Sequence, residues 1–268
     1  MNYKLSLIYF SYRPGGFDIL AHSLTNQDYK NYELIVIDDY PGRNLRGYLE
    51  EKGIPVTYYG PMKTKTLKDT TYNQCNVLNT ALLYATGDIF IICNDYTWLP
   101  PDSLDRWNRF FNEHGLNCVV SACANEHECR NPSIIGDVTV WEPPFTGSFS
   151  RFGRVSKWIP EEFETFYTAI PTKYLVDING FDERGDAWCV FFHSSILAQA
   201  KLNDMKVMVD SSHFVEHINH RPWSIGGSRL WYIVRTGGPE RNDPPQWLRR
   251  SPNNFNLREE RSMRRMLK

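Results

Sequence analysis

The sequence predicts an α/β fold with a Rossmann-like, mixed but mainly parallel sheet that is flanked by helices. The strongest observation is the apolar run Ile89–Cys93, whose β-branched and aromatic residues are typical of a strand buried on both faces. Pro100 and Pro101 prevent this strand from continuing. Apolar runs alternate with amphipathic helical segments on either side of it, which indicates right-handed βαβ units. A chain of 268 residues is long enough for one large domain of this class.

The first third of the chain supplies most of the predicted sheet. Its predicted elements, in order, are strand Leu5–Phe10, helix Phe17–Thr25, strand 33–37 ending in Asp38 and Asp39, helix Arg43–Glu51, strand Pro55–Tyr59, helix Thr71–Ala85 and strand Ile89–Cys93. The helix at 71–85 is the most regular, because its apolar residues share one face and Gly87 follows as a C-terminal cap. Asn73, Asn76 and Asn79 lie off that face, where they would meet solvent or a ligand.

The rest of the chain is predicted to be less regular. Its predicted elements are a helix from Leu104 to Phe111, strand Asn117–Ala122, helix Val190–Leu202, strand Lys206–Val209 and the short run Phe214–His217. Residues 125–170 are expected to be irregular and functional, as long irregular stretches in compact domains usually are. Glycine and proline pairs punctuate the chain beyond Pro222. We therefore predict a domain at 1–222 and a C-terminal extension at 223–268, which ends in a basic helix at Leu257–Leu267.

Charge is distributed unevenly along the chain. The net charge of −1 argues against a protein built for bulk nucleic-acid binding. Residues 249–268, however, carry seven basic side chains against two acidic ones. A basic tail on an acidic body predicts a homo-oligomer contact or an anionic partner for the extension, with a solvated helix as the alternative.

Cysteine usage and hydropathy bear on where the protein works. The six cysteines include no Cys-x-x-Cys pair and match no standard zinc-ligand spacing, so a reducing compartment is the default expectation. The first apolar run is too short for a signal peptide, and no stretch approaches the ~20 apolar residues of a spanning helix. We expect a cytoplasmic protein without a transmembrane segment, which the basic tail could hold at a membrane surface.

Polar side chains follow three of the predicted parallel strands, at the point where each strand ends. They are Ser11, Tyr12 and Arg13 after the first strand, Asp38 and Asp39 after the second, and Asn94 and Asp95 after the strand at 89–93. In open α/β sheets, ligands bind just beyond the carboxyl ends of the strands. These residues therefore predict a ligand site at one edge of the sheet.

Four features resemble those of inverting family 2 glycosyltransferases, in the same order and across residues 5 to about 220. They are the first strand and its turn, the strand ending in Asp38 and Asp39, the segment Gly-Asp, apolar run, Asn94-Asp95-Tyr96, Leu-Pro-Pro, and Asn179-Gly-Phe-Asp-Glu183 followed by a helix and His217. The family's Asp-x-Asp triplet reads Asn-Asp-Tyr here. The resemblance implies a GT-A fold and transfer of a sugar from a nucleoside diphosphate donor, UDP-linked, to a glycan, lipid-linked or other hydroxyl acceptor.

The resemblance also implies which residues bind the donor. They are Ser11, Tyr12, Arg13, Asp38, Asp39, Asn73, Asn94 and Asp95. A carboxylate at the end of the second strand would accept the N–H of the nucleotide base, since a carboxylate only accepts hydrogen bonds. Asp95 and His217 would bind Mn²⁺ or Mg²⁺, and the incomplete triplet predicts weaker metal binding than in enzymes with two aspartates.

The catalytic positions of the family are altered as well. Phe192 and His193 stand where the family usually has Glu-Asp, so the resemblance puts the catalytic base at His193, with Asp186 as the competing candidate. Trp188, Asp182 and Glu183 would contact the acceptor. Two other functions stay open: a sugar nucleotidyltransferase, and a module that binds nucleotide sugars or glycans after losing catalysis.

Overall fold

The computed structural model describes residues 1–11, 15–38, 44–60, 74–128, 133–135, 138–140, 145–149, 155–158, 166–183, 191–219, 250–251 and 256–266. Its strands are β1 (Leu5–Ser11), β2 (Tyr32–Asp38), β3 (Val56–Gly60), β4 (Ile89–Asn94), β5 (Thr97–Trp98), β6 (Cys118–Glu128), β7 (Ser133–Ile135), β8 (Val138–Val140), β9 (Val155–Trp158), β10 (Tyr167–Pro171) and β11 (Lys206–Asn219). Its helices are α1 (Phe17–Thr25), α2 (Leu45–Glu51), α3 (Gln74–Tyr84), α4 (Ser103–His114), α5 (Thr172–Asp177), α6 (Phe191–Leu202) and α7 (Leu257–Met266).

Nine of the described strands form one sheet, in the order β3-β2-β1-β4-β10-β6-β11-β5, with β9 paired to β6. Strands β3, β2, β1 and β4 are parallel to one another, and β6 is parallel to β11. Between these two parallel groups, β10 runs antiparallel to both β4 and β6. The predicted mixed α/β sheet flanked by helices is confirmed.

Apolar and polar residues do not alternate along strand β4, because helices cover both of its faces. Ile89, Ile91 and Cys93 pack on one face of the sheet with α1, α2 and α4. Phe90 and Ile92 pack on the opposite face with α3, α5 and α6. Every residue from Ile89 to Cys93 is buried. A strand with one exposed face would show polar residues at every second position, and a strand buried on both faces does not.

The region expected to be irregular contains five strands or parts of strands. Strand β6 continues to Glu128, beyond the predicted end at Ala122, and β9 pairs with this added part. Strands β7, β8 and β10 also lie between 125 and 171. The irregularity expected for 125–170 is therefore wrong over these segments, because pairing with distant strands stabilises stretches whose own pattern is weak.

Strand β11 joins the two apolar runs that the sequence shows separately. Its pairing with β6 shifts register between Asp210 and Phe214. Within this bulge, Ser212 donates from its backbone N and from its Oγ to Asp210 Oδ1, at 2.9 and 2.6 Å. The polar residues that interrupt the hydrophobic pattern thus satisfy each other at a β-bulge and do not end the strand.

The C-terminal helix α7 packs back onto the sheet's helical layer. Leu257 is fully buried with α3 and α5, and the Arg261 guanidinium donates to the backbone oxygens of Leu82 and Ala85 at the end of α3. Among the described helices, none is both long and apolar enough to cross a membrane.

Candidate functional site

Three strand ends meet at one edge of the sheet. In the register of the parallel strands, Ser11 of β1 lies opposite Asp38 of β2, and Phe10 lies opposite Asn94 of β4. The Ser11 Oγ donates a hydrogen bond of 3.2 Å to Asp95 Oδ2. Ser11, Asp38 and Asp95 are all buried, so the predicted donor residues of these strands do come together.

Asp38, the last residue of β2, has a hydrogen-bond partner on the neighbouring strand. Tyr59 of β3 donates from its hydroxyl to Asp38 Oδ2 at 3.1 Å, which ties that carboxylate to the next strand. Asp39 lies outside the described residues, as do Tyr12, Arg13 and Asn73. Asp38 therefore has a hydrogen-bond partner within the sheet that the sequence did not reveal.

The side chain of Tyr96, the third residue of the altered triplet, is buried in the protein interior. Its φ of 61° is left-handed, and its ring is buried in a cluster with Ile19, Phe145 and Ile218. Gly16 permits this arrangement, since a Cβ at that position would lie 3.3 Å from the Tyr96 backbone N. Tyr96 is thus a packing residue at a position where the family has a metal ligand.

His217 lies beside the turn that carries Asp95. The Ile218 N donates to Tyr96 O at 3.1 Å, so the residue after His217 is bonded to the residue after Asp95. In the antiparallel pairing of β11 with β5, His217 is opposite Thr97. The two residues predicted to bind metal are therefore brought to neighbouring backbone positions.

A carboxylate accompanies His217. Glu126 of β6 is opposite His217 in the parallel register, and its Oε1 lies 3.9 Å from His217 Nδ1. On the other side, the Phe166 ring is 6.2 Å from the imidazole, and Phe166 O accepts a hydrogen bond of 2.9 Å from Asn94 N. His217 is thus connected to the end of β4 through Phe166.

Cys93 is next to the site but is not a nucleophile. Burial, helped by the nearby Asp95 carboxylate, raises the pKa of the Cys93 thiol far above its ordinary value. A thiol that stays protonated can neither attack a sugar nor bind a metal ion effectively. Cys93 is a core residue of β4, as its apolar sequence context predicts.

The acidic residues predicted on the acceptor side are buried in a tight loop. Asp182 and Glu183 are both buried, and Asn79 of α3 donates to Glu183 Oε1 at 3.1 Å. Asp186 and Trp188 lie outside the described residues. The backbone of His193 belongs to the first turn of α6, and its side chain is outside the described part of the chain.

A family model described as glycosyl transferase family 2 matches residues 18–155, which is just over half of the chain. The chain belongs to glycosyl transferase family 2. The matched segment contains β2, β4 and the turn with Asp95. The resemblance to family 2 that the sequence motifs carry is confirmed by this match.

Several solved structures share this fold. The mannosyltransferase PcManGT from Pyrobaculum calidifontis, in complex with GDP-Man and Mn²⁺, has a TM-score of 0.56 at 16% identity, over 88% of this chain and 61% of its own. S. aureus TarS 1–349 has a TM-score of 0.55 at 17% identity, over 80% of this chain and 60% of its own.

A third similar structure is glucosyl-3-phosphoglycerate synthase from Mycobacterium tuberculosis, in complex with Mn²⁺, UDP and phosphoglyceric acid. Its TM-score is 0.55 at 14% identity, over 89% of this chain and 80% of its own. The family 2 chain thus spans about 60% of the length of the first two structures. A search of curated protein sequences finds no match. At these identities the similarity establishes the GT-A fold.

The protein side chains at this site are too few to hold a metal ion by themselves, so they fit an ion only if a bound nucleotide supplies further ligands. In the part of the chain that the structure describes, no three His, Cys, Asp or Glu side chains are grouped to hold an ion. Asp95 and His217 are the two ligands that the sequence predicts, and the buried Asn94 Oδ1, which has no hydrogen-bond partner among the described residues, would be a neutral third. Ions bound by one or two protein side chains complete their coordination with substrate phosphates.

Sequence reasoning missed three side chains of this site. Tyr59, Glu126 and Asn79 contact Asp38, His217 and Glu183, respectively. Each pair joins separate elements, and for Asn79 and Glu183 the separation is 104 residues. Asn79 gave a partial signal, because it lies off the apolar face of its helix; the structure shows it buried, where an amide requires hydrogen-bond partners.

Proposed function

We propose that this protein transfers a sugar from a nucleoside diphosphate sugar, UDP-linked, to a hydroxyl acceptor with inversion at the anomeric carbon. The observation that carries the proposal is the convergence of Ser11, Asp38 and the Asn94-Asp95 turn at adjacent strand ends, with the strand of His217 hydrogen-bonded beside them. Ligands of open α/β sheets bind at such edges. The acceptor is a glycan, a lipid-linked sugar or another hydroxyl compound.

On the donor side, the base and the diphosphate need different partners. A carboxylate accepts the ring N–H of uracil, and because Asp38 is already bonded to Tyr59, we assign base recognition to Asp39. Arg13 supplies positive charge for the diphosphate. Ser11, Tyr12 and Asn73 complete the proposed donor contacts.

We assign Mn²⁺ or Mg²⁺ to Asp95 and His217, with Asn94 as a neutral neighbour. The presence of Mn²⁺ in the mannosyltransferase and in the phosphoglycerate synthase complexes supports this assignment. When bound, the ion would neutralise the negative charge of the departing diphosphate. Glu126 beside His217 would orient the imidazole, as carboxylates commonly do for metal-binding histidines.

The chain's own residues would carry the proton transfer. As the acceptor oxygen attacks the anomeric carbon, its proton passes to an imidazole nitrogen of His193, with Asp186 as the alternative base. Trp188, Asp182 and Glu183 hold the acceptor. An aromatic ring and carboxylates suit a sugar, which presents both apolar faces and hydroxyl groups.

We further propose that residues 1–222 form the catalytic domain and 223–268 an extension that carries the basic surface. The packing of α7 on α3 supports an extension that folds back on the domain. Arg258 is largely exposed, and the basic residues near it would meet a second copy of the chain, an anionic partner or a membrane surface. A cytoplasmic location is part of this proposal.

Calorimetric titration tests the function directly. The folded protein is titrated with UDP, GDP and ADP and with their sugar conjugates, with and without Mn²⁺, and thermal unfolding is followed in parallel. A ligand at 100 times its Kd adds about 2.7 kcal/mol to stability. We expect UDP compounds to bind most tightly and only with the ion, and the UDP-sugar to be hydrolysed slowly.

The same experiment separates the alternatives. Tight binding without any donor hydrolysis or transfer would favour a binding module. Release of pyrophosphate from a nucleoside triphosphate and a sugar 1-phosphate would favour a nucleotidyltransferase. If no nucleotide binds with or without the ion, the proposed function is wrong.

A further inference from the structure

The loop that carries Asp182 and Glu183, residues 179–183, has an unusual backbone. Asn179 and Gly180 have φ values of 65° and 75°, both in the left-handed region. Such consecutive conformations persist only where the surroundings stabilise them. All five residues of this loop are buried, so the contacts that stabilise it come from the protein.

Asn79 of α3 holds the loop from one side. Its Oδ1 accepts from Phe181 N at 2.8 Å and its Nδ2 donates to Phe181 O at 2.9 Å, so one amide satisfies both backbone groups of one residue. The same Nδ2 donates to Glu183 Oε1 at 3.1 Å. Asparagine is suited to this role because its side chain offers an acceptor and two donors. Asn79 is only 2% exposed, and loss of any of these bonds would leave a buried group unpaired.

The extension holds the loop from the other side. Asn179 Oδ1 accepts a hydrogen bond of 2.9 Å from Leu257 N, the first residue of α7. Ser251 N donates to Ile178 O at 2.7 Å, and Gln199 Nε2 of α6 donates to Ser251 Oγ at 2.9 Å. Ser251 Oγ also donates to Gly180 O, so the loop is bonded to the extension through its backbone at Gly180 and through the Asn179 side chain.

Gly180 marks the point where the two sides are closest. A Cβ at this position would lie 2.3 Å from Asn79 Oδ1 and 2.6 Å from Leu257 Cδ1. No side chain fits between α3 and α7 here, and the positive φ also favours glycine. The spacing shows that the loop is confined by both helices at once.

Arg261 connects the two sides. It is 8% exposed, and its guanidinium donates to Leu82 O and Ala85 O, which are carbonyls at the C-terminal end of α3. This places the positive charge at the negative end of the helix dipole. The helix that carries Asn79 is thus fixed to α7, whose first residue, Leu257, is bonded to Asn179, and the loop lies between the two helices.

We propose that Asn79 is a positioning residue for Glu183 and that α7 is the second half of the same clamp, so that the C-terminal extension fixes the acceptor side of the site. The proposal rests on the proposed function, which assigns Glu183 to the acceptor. Among the described residues, the clamp contacts this loop, α3, α5 and α6, whereas Ser11, Asp38 and Asp95 lie at the ends of β1, β2 and β4. Damage to the clamp should therefore impair acceptor use and leave donor binding intact.

Hydrogen exchange tests the clamp independently of activity. The Phe181 amide is bonded to Asn79 Oδ1, so Asn79→Ala should lower its protection about a hundredfold, while amides of β4 keep theirs. Arg261→Lys should lower protection of the same loop to a smaller extent. Arg258→Ala is the matched control, because Arg258 is 68% exposed on the same helix. Unchanged protection of Phe181 in Asn79→Ala would overturn the clamp.

Kinetics test the positioning role. Asn79→Asp keeps the acceptor for Phe181 N–H but turns an oxygen towards the Glu183 carboxylate. We expect kcat/KM for the acceptor to fall at least tenfold while donor Kd changes less than threefold. Because a buried carboxylate beside another acid is easily protonated, the deficit relative to wild type should shrink as the pH falls from 8 to 6.

A merely structural role gives a different result. Donor Kd, donor hydrolysis and transfer would then all decline together with the folded fraction, without a change of pH dependence in Asn79→Asp. That outcome, or normal acceptor kinetics despite lost protection at Phe181, would overturn the positioning proposal. Absence of transfer by the wild-type enzyme would instead refute the proposed function and the acceptor role, while hydrogen exchange would still decide the clamp.

Discussion

The Ser11 hydroxyl donates to the Asp95 carboxylate at 3.2 Å and so joins the ends of β1 and β4. This bond orients the acid that survives from the family's triplet. Ser11→Ala should weaken Mn²⁺-dependent UDP binding about two- to tenfold, the value of one hydrogen bond. Asp95→Ala should abolish the Mn²⁺-dependent part of binding in calorimetry. Asp88→Ala is the control, since Asp88 immediately precedes β4 and lies at the other end of that strand from Asp95. Equal losses in both Asp variants would refute the assignment.

Base recognition is tested by comparing the two acids after β2. Asp39→Ala should weaken UDP binding roughly ten- to a hundredfold, because one charge-assisted hydrogen bond contributes about 1.5–3 kcal/mol. Asp38→Ala should mainly lower stability, since it leaves the Tyr59 hydroxyl without this partner. Titration calorimetry and denaturant unfolding separate the two effects. Unchanged affinity in a folded Asp39→Ala protein would remove Asp39 from the base site.

The proposed base makes a kinetic prediction. His193→Ala should lower kcat by about 10²- to 10⁴-fold with donor affinity nearly unchanged, because only proton removal is lost. The wild-type rate should rise with pH through the titration of that imidazole. If His193→Ala retains near-normal transfer and Asp186→Ala is inactive, Asp186 is the base.

Buried His213 should make stability depend on pH. Burial lowers the pKa of His213 to about 3, with Asp210 and Asp102 opposing and Arg106 and Arg109 adding to the effect. The unfolded state, with a pKa near ~6.5, therefore binds the proton first, and the free energy of unfolding falls as pH decreases from about 6.5 towards 3.

The slope of that dependence is at most about 1.4 kcal/mol per pH unit. Urea unfolding between pH 7 and 5 should show it in the wild type. The His213→Gln variant should lack this contribution, and His114→Gln, at the exposed end of α4, should retain it. A His213→Gln protein with an unchanged slope would contradict the prediction.

Glu33 should add a second dependence at lower pH. Burial opposes ionisation of this carboxyl, but hydrogen bonds from Ser6, Thr86 and Lys4 outweigh it and lower the pKa of Glu33. Its contribution to stability is present above the unfolded pKa of about 4.3 and is lost as pH falls through the lower folded value. Glu33→Gln should reduce the dependence of the unfolding free energy on pH below about pH 4.5. A variant with the same pH dependence as the wild type would rule this out.

Local patterns were sufficient for strands β1 to β4. The unbroken apolar run of β4 predicted a buried strand, which the structure confirms, because burial on both faces leaves a direct trace in sequence. The ligand site at the end of this strand stays a prediction. The same logic failed at β11, where four polar residues, 210–213, interrupted the apolar pattern of one continuous strand at a bulge. A bulge and a loop look alike in sequence, and only pairing with β6 distinguishes them.

The packing of α7 and of loop 179–183 against α3 depends on contacts between distant residues, which a local sequence pattern does not reveal. Arg261 looked like one charge in a basic tail, yet it is buried against α3. It donates hydrogen bonds to two carbonyl groups at the end of α3, which lie about 180 residues earlier in the chain. Asn79 was similarly visible only as an asparagine off the apolar face of α3.

The left-handed Tyr96 constrains how this protein could acquire stronger metal binding. Tyr96→Asp fits the backbone, since aspartate tolerates positive φ, but it would place a carboxylate among Ile19, Phe145 and Ile218. A point substitution therefore cannot complete the triplet. Under the proposed function, a site limited to one carboxylate and one imidazole would take up its ion as a metal–nucleotide complex. The concentration of nucleotide sugar, rather than that of free Mn²⁺, would then set how much of the enzyme is loaded.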